Sequence, residues 1–316
     1  MADVELSLAE STMTRRDILR GVAGFAAGMA LAELAKVDDA SAAIARLLGP
    51  EKFAKDPSWQ QDFSKMPNGQ PDSRYWSYVT GTKIAMYNNE AQTYTNSPEN
   101  VRIEDGVLVI EALRQNKDNR KYTSGRIFTQ NKFSFQYGKI EVDLKAPKGT
   151  GAWPAAWLLP DSPRYNPLKY GVTNPDNGWL INGEIDFFEA YGQNPNTVFP
   201  SAHTISSMKV DNAGINPPKA IAKNQAETFH KYWVEKLPGS IRFGLDDSPA
   251  YHVVNKHSDN PRSWPWDQKY YLILNLALGL PWDKAAKEKF PPKGIDNSQA
   301  PWKMEVKSIK YWPLAA

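Results

Sequence analysis

The sequence predicts an all-β sandwich, and two observations carry that prediction. From Trp76 onward the chain breaks into short segments of alternating polar and apolar residues separated by turn residues, and after residue 50 no long segment of helical period competes with them. VRIEDGVLVIEA (101–112) reads as two strands joined at Asp105-Gly106, a dipeptide that accepts the positive φ values a two-residue hairpin needs. KFSFQYGKIEVDLKAP (132–147) alternates Phe133, Phe135 and Tyr137, then Ile140, Val142 and Leu144, with polar partners, so two half-buried strands flank Gly138. HKYWVEKL (230–237), SIRFGLD (240–246), KYYLILNLALG (269–279) and MEVKSIKYW (304–312) continue the series. The Pro-rich stretches 160–177 and 281–301 are predicted loops, long enough to be functional.

Composition narrows the function. The 316 residues suit one large domain or two small ones, and sandwich domains often exceed 200 residues as a single unit. Hydrophobic residues make up 41% and charged residues 23%, which gives a sizeable core and excludes a disordered chain. Net charge is +3 and the 38 basic residues are scattered singly, so the electrostatic footprint of a nucleic-acid binder is missing. The excess is aromatic, with 11 Trp, 14 Tyr and 12 Phe. Such rings fill cores and also make stacking platforms for the apolar C–H faces of sugars. The absence of cysteine excludes disulfides, thiolate metal sites and cysteine nucleophiles.

The front of the chain reads as a targeting segment. In MTRRDILRGVAGFAAGMALAELA (13–35), Arg15 and Arg16 stand directly before a weakly apolar Gly/Ala-rich run, the layout of a twin-arginine export signal. That run is too short and too mild to anchor in a bilayer. Small residues at Ala30/Ala32 and at Ala40/Ala42 offer two cleavage positions, and the acidic residues within 1–12 make Met13 the expected start. An ordinary amphipathic helix is the alternative. On the export reading, residues 1–42 are signal and leader, no membrane anchor remains after removal, and the protein is periplasmic or extracellular.

The most informative stretch is INGEIDFFEAYG (181–192), where Glu184, Asp186 and Glu189 interrupt an apolar, aromatic run. Spacing alone is weak, because 35 acids in 316 positions give this pattern by chance roughly 0.4 times per chain. Context decides. In a strand, Glu184 and Asp186 share a face and Glu189 faces away. One extra residue, a β-bulge at Phe187 or Phe188, returns Glu189 to that face. A structural use is disfavoured, since unpaired carboxylates repel one another and gain nothing from burial. A solvated face rarely alternates with Ile and Phe, and the loop geometry of calcium sites is lacking. Glycoside hydrolysis does need this set: an ionised carboxylate and a protonated one flanking the scissile bond, about 5–5.5 Å apart when configuration is retained. Four flat strand steps would separate Glu184 and Glu189 by about 13 Å between backbones, so a concave sheet must bring their side chains together. Asp186 between them keeps the set from ionising together, because like charges at short range hold one carboxyl protonated.

With these residues in place the sequence resembles glycoside hydrolase family sixteen, the laminarinase-like β-glucanases, in the subgroup whose catalytic strand is bulged. The resemblance spans about residues 75–312 through NNEAQTYT (88–95), SGRIFT (124–129), YGKIEVDLKAPKGTGAWPAAWLLP (137–160), GEIDFFEAYG (183–192), AHTISS (202–207), FHKYWVEK (229–236) and LILNLALGLPW (272–282), in family order. It implies a concanavalin A-like β-jelly-roll with a concave cleft, Glu184 as nucleophile, Asp186 as assisting carboxylate and Glu189 as general acid/base. Trp153 and Trp157 are then cleft walls or platforms, with core packing as the alternative. Their i, i+4 spacing puts both on one strand face, but Pro154 is expected to disturb the register. His203 matches a histidine on the strand beside the catalytic one, and a satisfied core histidine is an equal reading. Asn89 and Arg126 match sugar-contacting positions, although Arg126 also suits a surface ion pair. Trp282 resembles a cleft tryptophan.

Departures from the family pattern shape the remaining expectations. Gly279-Leu280 replaces a pair of glycines, and the loop PRYNPLKYGVTNPDNGW (163–179) is enlarged, which narrows the cleft or adds a subsite. Lys307 stands where many relatives place an Asp that helps bind a structural calcium, and an ammonium repels a cation. No metal and no cofactor are therefore expected. Residues 43–74 are a linker and lead-in, and 75–316 form the catalytic domain. The expected function is that of a secreted, monomeric, retaining endo-glycosidase acting on a β-linked polysaccharide, foremost β-1,3-glucan. The alternatives are a hydrolase or transglycosylase of another β-linked polymer, such as a galactan or a bacterial exopolysaccharide, and a sugar-binding sandwich without catalysis.

Overall fold

Alternation of side chains builds two antiparallel sheets in the computed structural model, which describes residues 53–83, 90–207, 220–279 and 295–315. The expected export segment, Asn89 and Trp282 lie outside the described residues. In chain order the strands are β1 (Trp59–Asp62), β2 (Ser77–Tyr78), β3 (Gln92–Tyr94), β4 (Val101–Glu104), β5 (Val107–Ala112), β6 (Tyr122–Ser124), β7 (Arg126–Phe128), β8 (Ser134–Phe135), β9 (Gly138–Lys145) and β10 (Ala152–Pro160). They continue with β11 (Glu184–Glu189), β12 (Thr197–Val198), β13 (Ser201–His203), β14 (Ala220–Ile221), β15 (His230–Leu237), β16 (Ser240–Leu245), β17 (His252–Asn255), β18 (Tyr270–Leu278) and β19 (Trp302–Trp312). One sheet runs β17-β16-β15-β9-β19-β5-β4, with β1 also on β19. The other runs β13-β11-β10-β18-β7-β2, with β8 also on β18.

The predicted hairpin forms at Asp105-Gly106, whose φ angles of 50° and 80° are those of a primed turn, matched to the twist of β4 and β5. In β9, Ile140, Val142 and Leu144 turn inward and are fully buried. From the facing sheet come Ala156, Leu158, Leu272, Leu274 and Leu276, all in the same buried cluster. Each of these Val, Leu and Ile side chains contributes about 1.5–3 kcal/mol on leaving water, so the core sits between the sheets and holds both faces in place. Gly138 opens β9 because a Cβ there would meet the Trp312 carbonyl oxygen at 2.5 Å.

Two expectations are corrected. The lead-in is no linker ahead of the domain: Phe53 bridges to Leu314, β1 pairs with β19, and Phe63 is buried in the main core. Its polar composition hid this, since only alternate residues of a short edge strand need to be apolar. Pro154 does not disturb the register either, because β10 pairs with β18 without a break from Ala152 to Pro160. Its carbonyl accepts from Ala190 N, so its nitrogen also points toward β11, where that strand has already ended and no ladder bond is lost.

Candidate active site

Backbone register decides which way the acids of β11 point. Ala156 pairs with Phe188 and Trp157 with Asp186, leaving Phe187 as the extra residue of a bulge. On the far side of the bulge Ala155 pairs with Glu189. Glu184, Asp186 and Glu189 therefore share the face that Trp157 and Ala155 present, while Phe187 and Phe188 are both buried in the core. On the other side of β11, His203 lies opposite Glu184 and Ser201 opposite Asp186. Across β10, Asn275 of β18 and Arg126 of β7 continue the row from Ala155.

The side chains in this row are interlocked. Ser201 Oγ donates to Asp186 Oδ2 at 2.6 Å and lies 2.9 Å from His203 Nε2, which is itself 3.1 Å from the same carboxylate oxygen. Trp153 Nε1 donates to Glu189 Oε1 at 2.7 Å, and the Tyr191 hydroxyl reaches that oxygen at 3.4 Å. Trp157 Nε1 donates to Asn275 Oδ1 at 2.7 Å, with the Arg126 guanidinium 4.7 Å from the centre of the Trp157 ring. Behind them, Tyr94 and Gln92 donate to the buried Glu90 carboxylate, and Asn275 Nδ2 meets the Tyr94 hydroxyl at 3.4 Å.

Electrostatics separate these groups. Burial, and then the charge of Asp186, hold Glu184 well above the usual carboxylate range, while His203 and Arg126 pull the other way. The same two causes push Glu189 up to about 7, opposed by the Trp153 hydrogen bond. Burial opposes protonation of His203, but the hydrogen bond and charge of Asp186, with the charges of Glu184 and Glu189, raise it to about 9. At neutral pH an imidazolium thus faces Asp186, and Glu189 is poised between acid and base. This arrangement can protonate a leaving group and then deprotonate a water.

One donor atom each from Glu184, Asp186 and His203 lies within 4.8 Å of the others, a set able to hold a divalent cation only in competition with the Asp186–His203 pair. Lys307 is the extra residue of a second bulge, between Val306 and Ser308, with its ammonium 4.0 Å from the centre of the Phe229 ring. Of the residues singled out from sequence, Glu184, Asp186, Glu189, Trp153, Trp157, His203 and Arg126 gather on one face. Ser201, Asn275, Tyr191 and Trp179 went unnoticed. Period two from His203 signals Ser201, and Asn275 is the one polar residue of the run LILNLALG (272–279). Trp179 carried no periodic signal. It sits in the 3-10 helix Pro175–Ile181 just before β11, with its ring edge-on to His203.

The model of the glycosyl hydrolases of family 16 matches residues 88–290. A β-glucanase of Rhodothermus marinus is 34% identical over 274 residues, covering 84% of this chain and 89% of the relative. A glucan endo-1,3-beta-glucosidase of Cryptopygus antarcticus is 31% identical over 270 residues, covering 81% and 92%. The X-ray structure of the laminarinase from Rhodothermus marinus superposes with a TM-score of 0.72 at 31% identity, covering 84% of this chain and 99% of that one.

Proposed function

Because the chain belongs to family 16 of the glycosyl hydrolases, we propose that it cleaves β-1,3-glucan within the chain and with retention of configuration, using Glu184 as nucleophile and Glu189 as acid/base. The observation that carries this reading is the bulge at Phe187, which returns Glu189 to the face of Glu184 and Asp186. In the first step Glu189 gives its proton to the glycosidic oxygen while the Glu184 carboxylate attacks the anomeric carbon. The carbon–oxygen bond breaks and a glycosyl ester remains on Glu184. In the second step Glu189, now ionised, takes a proton from water, the resulting oxygen attacks the same carbon, and Glu184 leaves as a carboxylate.

Each surrounding group has a use in that sequence. Asp186, fixed by Ser201 and His203, keeps a negative charge near Glu189 so that its proton is retained up to about pH 7. Burial and the charge of Asp186 raise Glu184, and the cations His203 and Arg126 oppose that rise, toward the ionised carboxylate that the attack requires. Trp153 and Trp157 offer aromatic faces to the sugar rings on the β10 side. The relatives named as acting on 1,3-linked glucan support that substrate over a galactan, and Lys307 supports catalysis without a structural calcium. The paired arginines at the front of the chain support export by the twin-arginine route, with action as a monomer on polysaccharide outside the cytoplasm. Among the described residues no helix is long and apolar enough to cross a membrane.

The test is reducing-end release on a panel of purified β-glucans and galactans, with Glu184→Ala alongside the wild type. Loss of reducing-end release in the variant is expected; added azide should restore cleavage without new reducing ends, because it takes the place of water at the anomeric carbon, and mass spectrometry of the products should show a glycosyl azide of inverted configuration. Full activity of Glu184→Ala on the substrates the wild type cleaves would overturn the assignment.

A further inference from the structure

Period two along β15 turns Tyr232, Val234 and Lys236 to one face, and the first two lie in the main core. A lysine therefore occupies a core position, where it is fully buried. Its nitrogen donates to the Gln136 carbonyl and, at 2.9 Å, to the Gln268 carbonyl, and it lies 5.0 Å from the centres of both the Tyr137 and the Tyr270 rings. Burial pulls its pKa down to about 7, and the charge of Asp267, itself paired with Lys256 at 2.6 Å, opposes that fall. An apolar side chain of that length would avoid the penalty of burying an amine, so the reason for a lysine lies in what it holds.

Its contacts lead to the nucleophile. Gln268, held at its backbone by Lys236, reaches three segments with its side chain: Nε2 donates to the carbonyls of Asn182 at 3.1 Å and Pro265 at 2.9 Å, and Oε1 accepts from Arg164 N at 3.2 Å. The Asn182 carbonyl also accepts from the Tyr270 hydroxyl. Gly183 follows at a φ of 75°, and a Cβ there would meet Pro265 Cγ at 2.6 Å, Trp266 Nε1 at 2.8 Å and the Tyr270 hydroxyl at 2.9 Å. The two residues directly before Glu184 are thus seated on the segment 265–270. We propose that Lys236 is a positioning residue for the nucleophile: from the opposite sheet it fixes Gln268, and Gln268 fixes the peptide from which Glu184 enters β11. The proposal rests on the assignment of Glu184 above. Turning that peptide would swing the Glu184 carboxylate off the anomeric carbon, while the sugar-facing groups on β10 and β7 would stay in place. An uncharged amine keeps two hydrogens for two carbonyls, so the clamp survives loss of the third proton.

The experiment compares the wild type with Lys236→Met, Gln268→Leu and the double variant, each well below its melting temperature. The substrates are β-1,3-glucan and the dinitrophenyl glycoside of a 1,3-linked disaccharide, whose leaving group needs no proton. Expected for each single variant is a kcat on glucan about ten- to a hundredfold lower with KM within about twofold. The loss should persist in kcat/KM on the dinitrophenyl substrate, and the alkaline limb on glucan should stay at about pH 7, because Glu189 is not the group displaced. The double variant should be no slower than the slower single one, since both substitutions cut the same chain of contacts. A purely structural role would lower the melting temperature and leave kcat alone. Unchanged kcat in folded variants, losses that multiply in the double variant, or a loss that disappears with the dinitrophenyl leaving group would each overturn the proposal while leaving the enzyme assignment standing. If Lys236→Met does not fold, Lys236→Gln, which retains a donor, takes its place beside Gln268→Leu with the same readouts. If the wild type releases neither sugar nor dinitrophenol, the assignment of Glu184 fails and takes the proposal with it.

Discussion

Replacing Trp153 by phenylalanine keeps an aromatic wall and removes the indole N–H that donates to Glu189 Oε1 at 2.7 Å. That bond favours the ionised carboxylate, whereas burial and the charge of Asp186 favour the acid, and the balance stands at about 7 against an ordinary 4.5. The difference corresponds to about 3 kcal/mol between the two protonation states. A hydrogen bond to a charged group is worth about 1.5 kcal/mol or more, which is about one pH unit. Losing it leaves the forces that retain the proton less opposed, so the Glu189 value rises. The alkaline limb of kcat/KM, set by loss of the catalytic proton in the free enzyme, should therefore move from about pH 7 to about pH 8 in Trp153→Phe. Reducing-sugar release on a soluble β-1,3-glucan between about pH 4 and 9 measures it. A limb that stays in place or moves to lower pH would refute the assignment of Glu189 as the acid held by this balance.

The same elevation predicts a stability effect. A carboxyl whose folded value is raised from 4.5 to about 7 contributes most below 4.5, and that contribution is lost as pH climbs through 7. Glu189→Gln should accordingly raise the melting temperature above pH 7 and change it little at pH 4; equal effects at both would count against a raised value. Ser201→Ala removes the 2.6 Å donor to Asp186, and a fall in kcat of about tenfold at unchanged KM is expected from steady-state kinetics. Inserting one alanine after Phe188 turns Glu189 into the core and should abolish activity. Deleting Phe187 leaves Glu189 on the acid face, at the cost of about 3–5 kcal/mol in urea unfolding, so residual cleavage should survive where the protein folds.

The strands were legible where one face is buried, because alternation is then enforced by the core: β9, β15 and β19 stand where their patterns put them. Asp105-Gly106 was readable for a local reason, the positive φ that both residues adopt. β1 was not, since a short edge strand carries too few apolar residues to announce itself, and its pairing with β19 joins segments at opposite ends of the chain. At the site, the acids and the need for a bulge could be derived, but the choice between Phe187 and Phe188 could not, because both rings are apolar and both end up buried. Trp179 was invisible for a different reason. Its position depends on a loop core assembled from Val172, Leu180, Ile181 and Ile205, and no period in the sequence reports which ring such a loop leaves outside.

Strand β11 meets two opposed demands, and its inner face allows the outer one. Three carboxylates on one surface repel each other, and holding Glu189 near 7 means that ionising it in the folded state costs about 3 kcal/mol relative to water. The same bulge that aligns them places Phe187 and Phe188 together in the core, with Phe188 packed 4.4 Å from the Tyr232 ring of the opposite sheet. Burying two such rings contributes about 3–6 kcal/mol, which offsets that penalty. The offset also explains why the two phenylalanines adjoin, against the alternation that governs every other residue of the strand: with Phe187 unpaired and Phe188 in register with Ala156, both can point inward only because the chain steps out of period there. A strand in strict alternation would keep one ring inside, expose the other, and carry Glu189 to the wrong face. Core packing and the orientation of the acid thus depend on one backbone irregularity, so a substitution that removes the bulge without deleting a residue must weaken both stability and cleavage together.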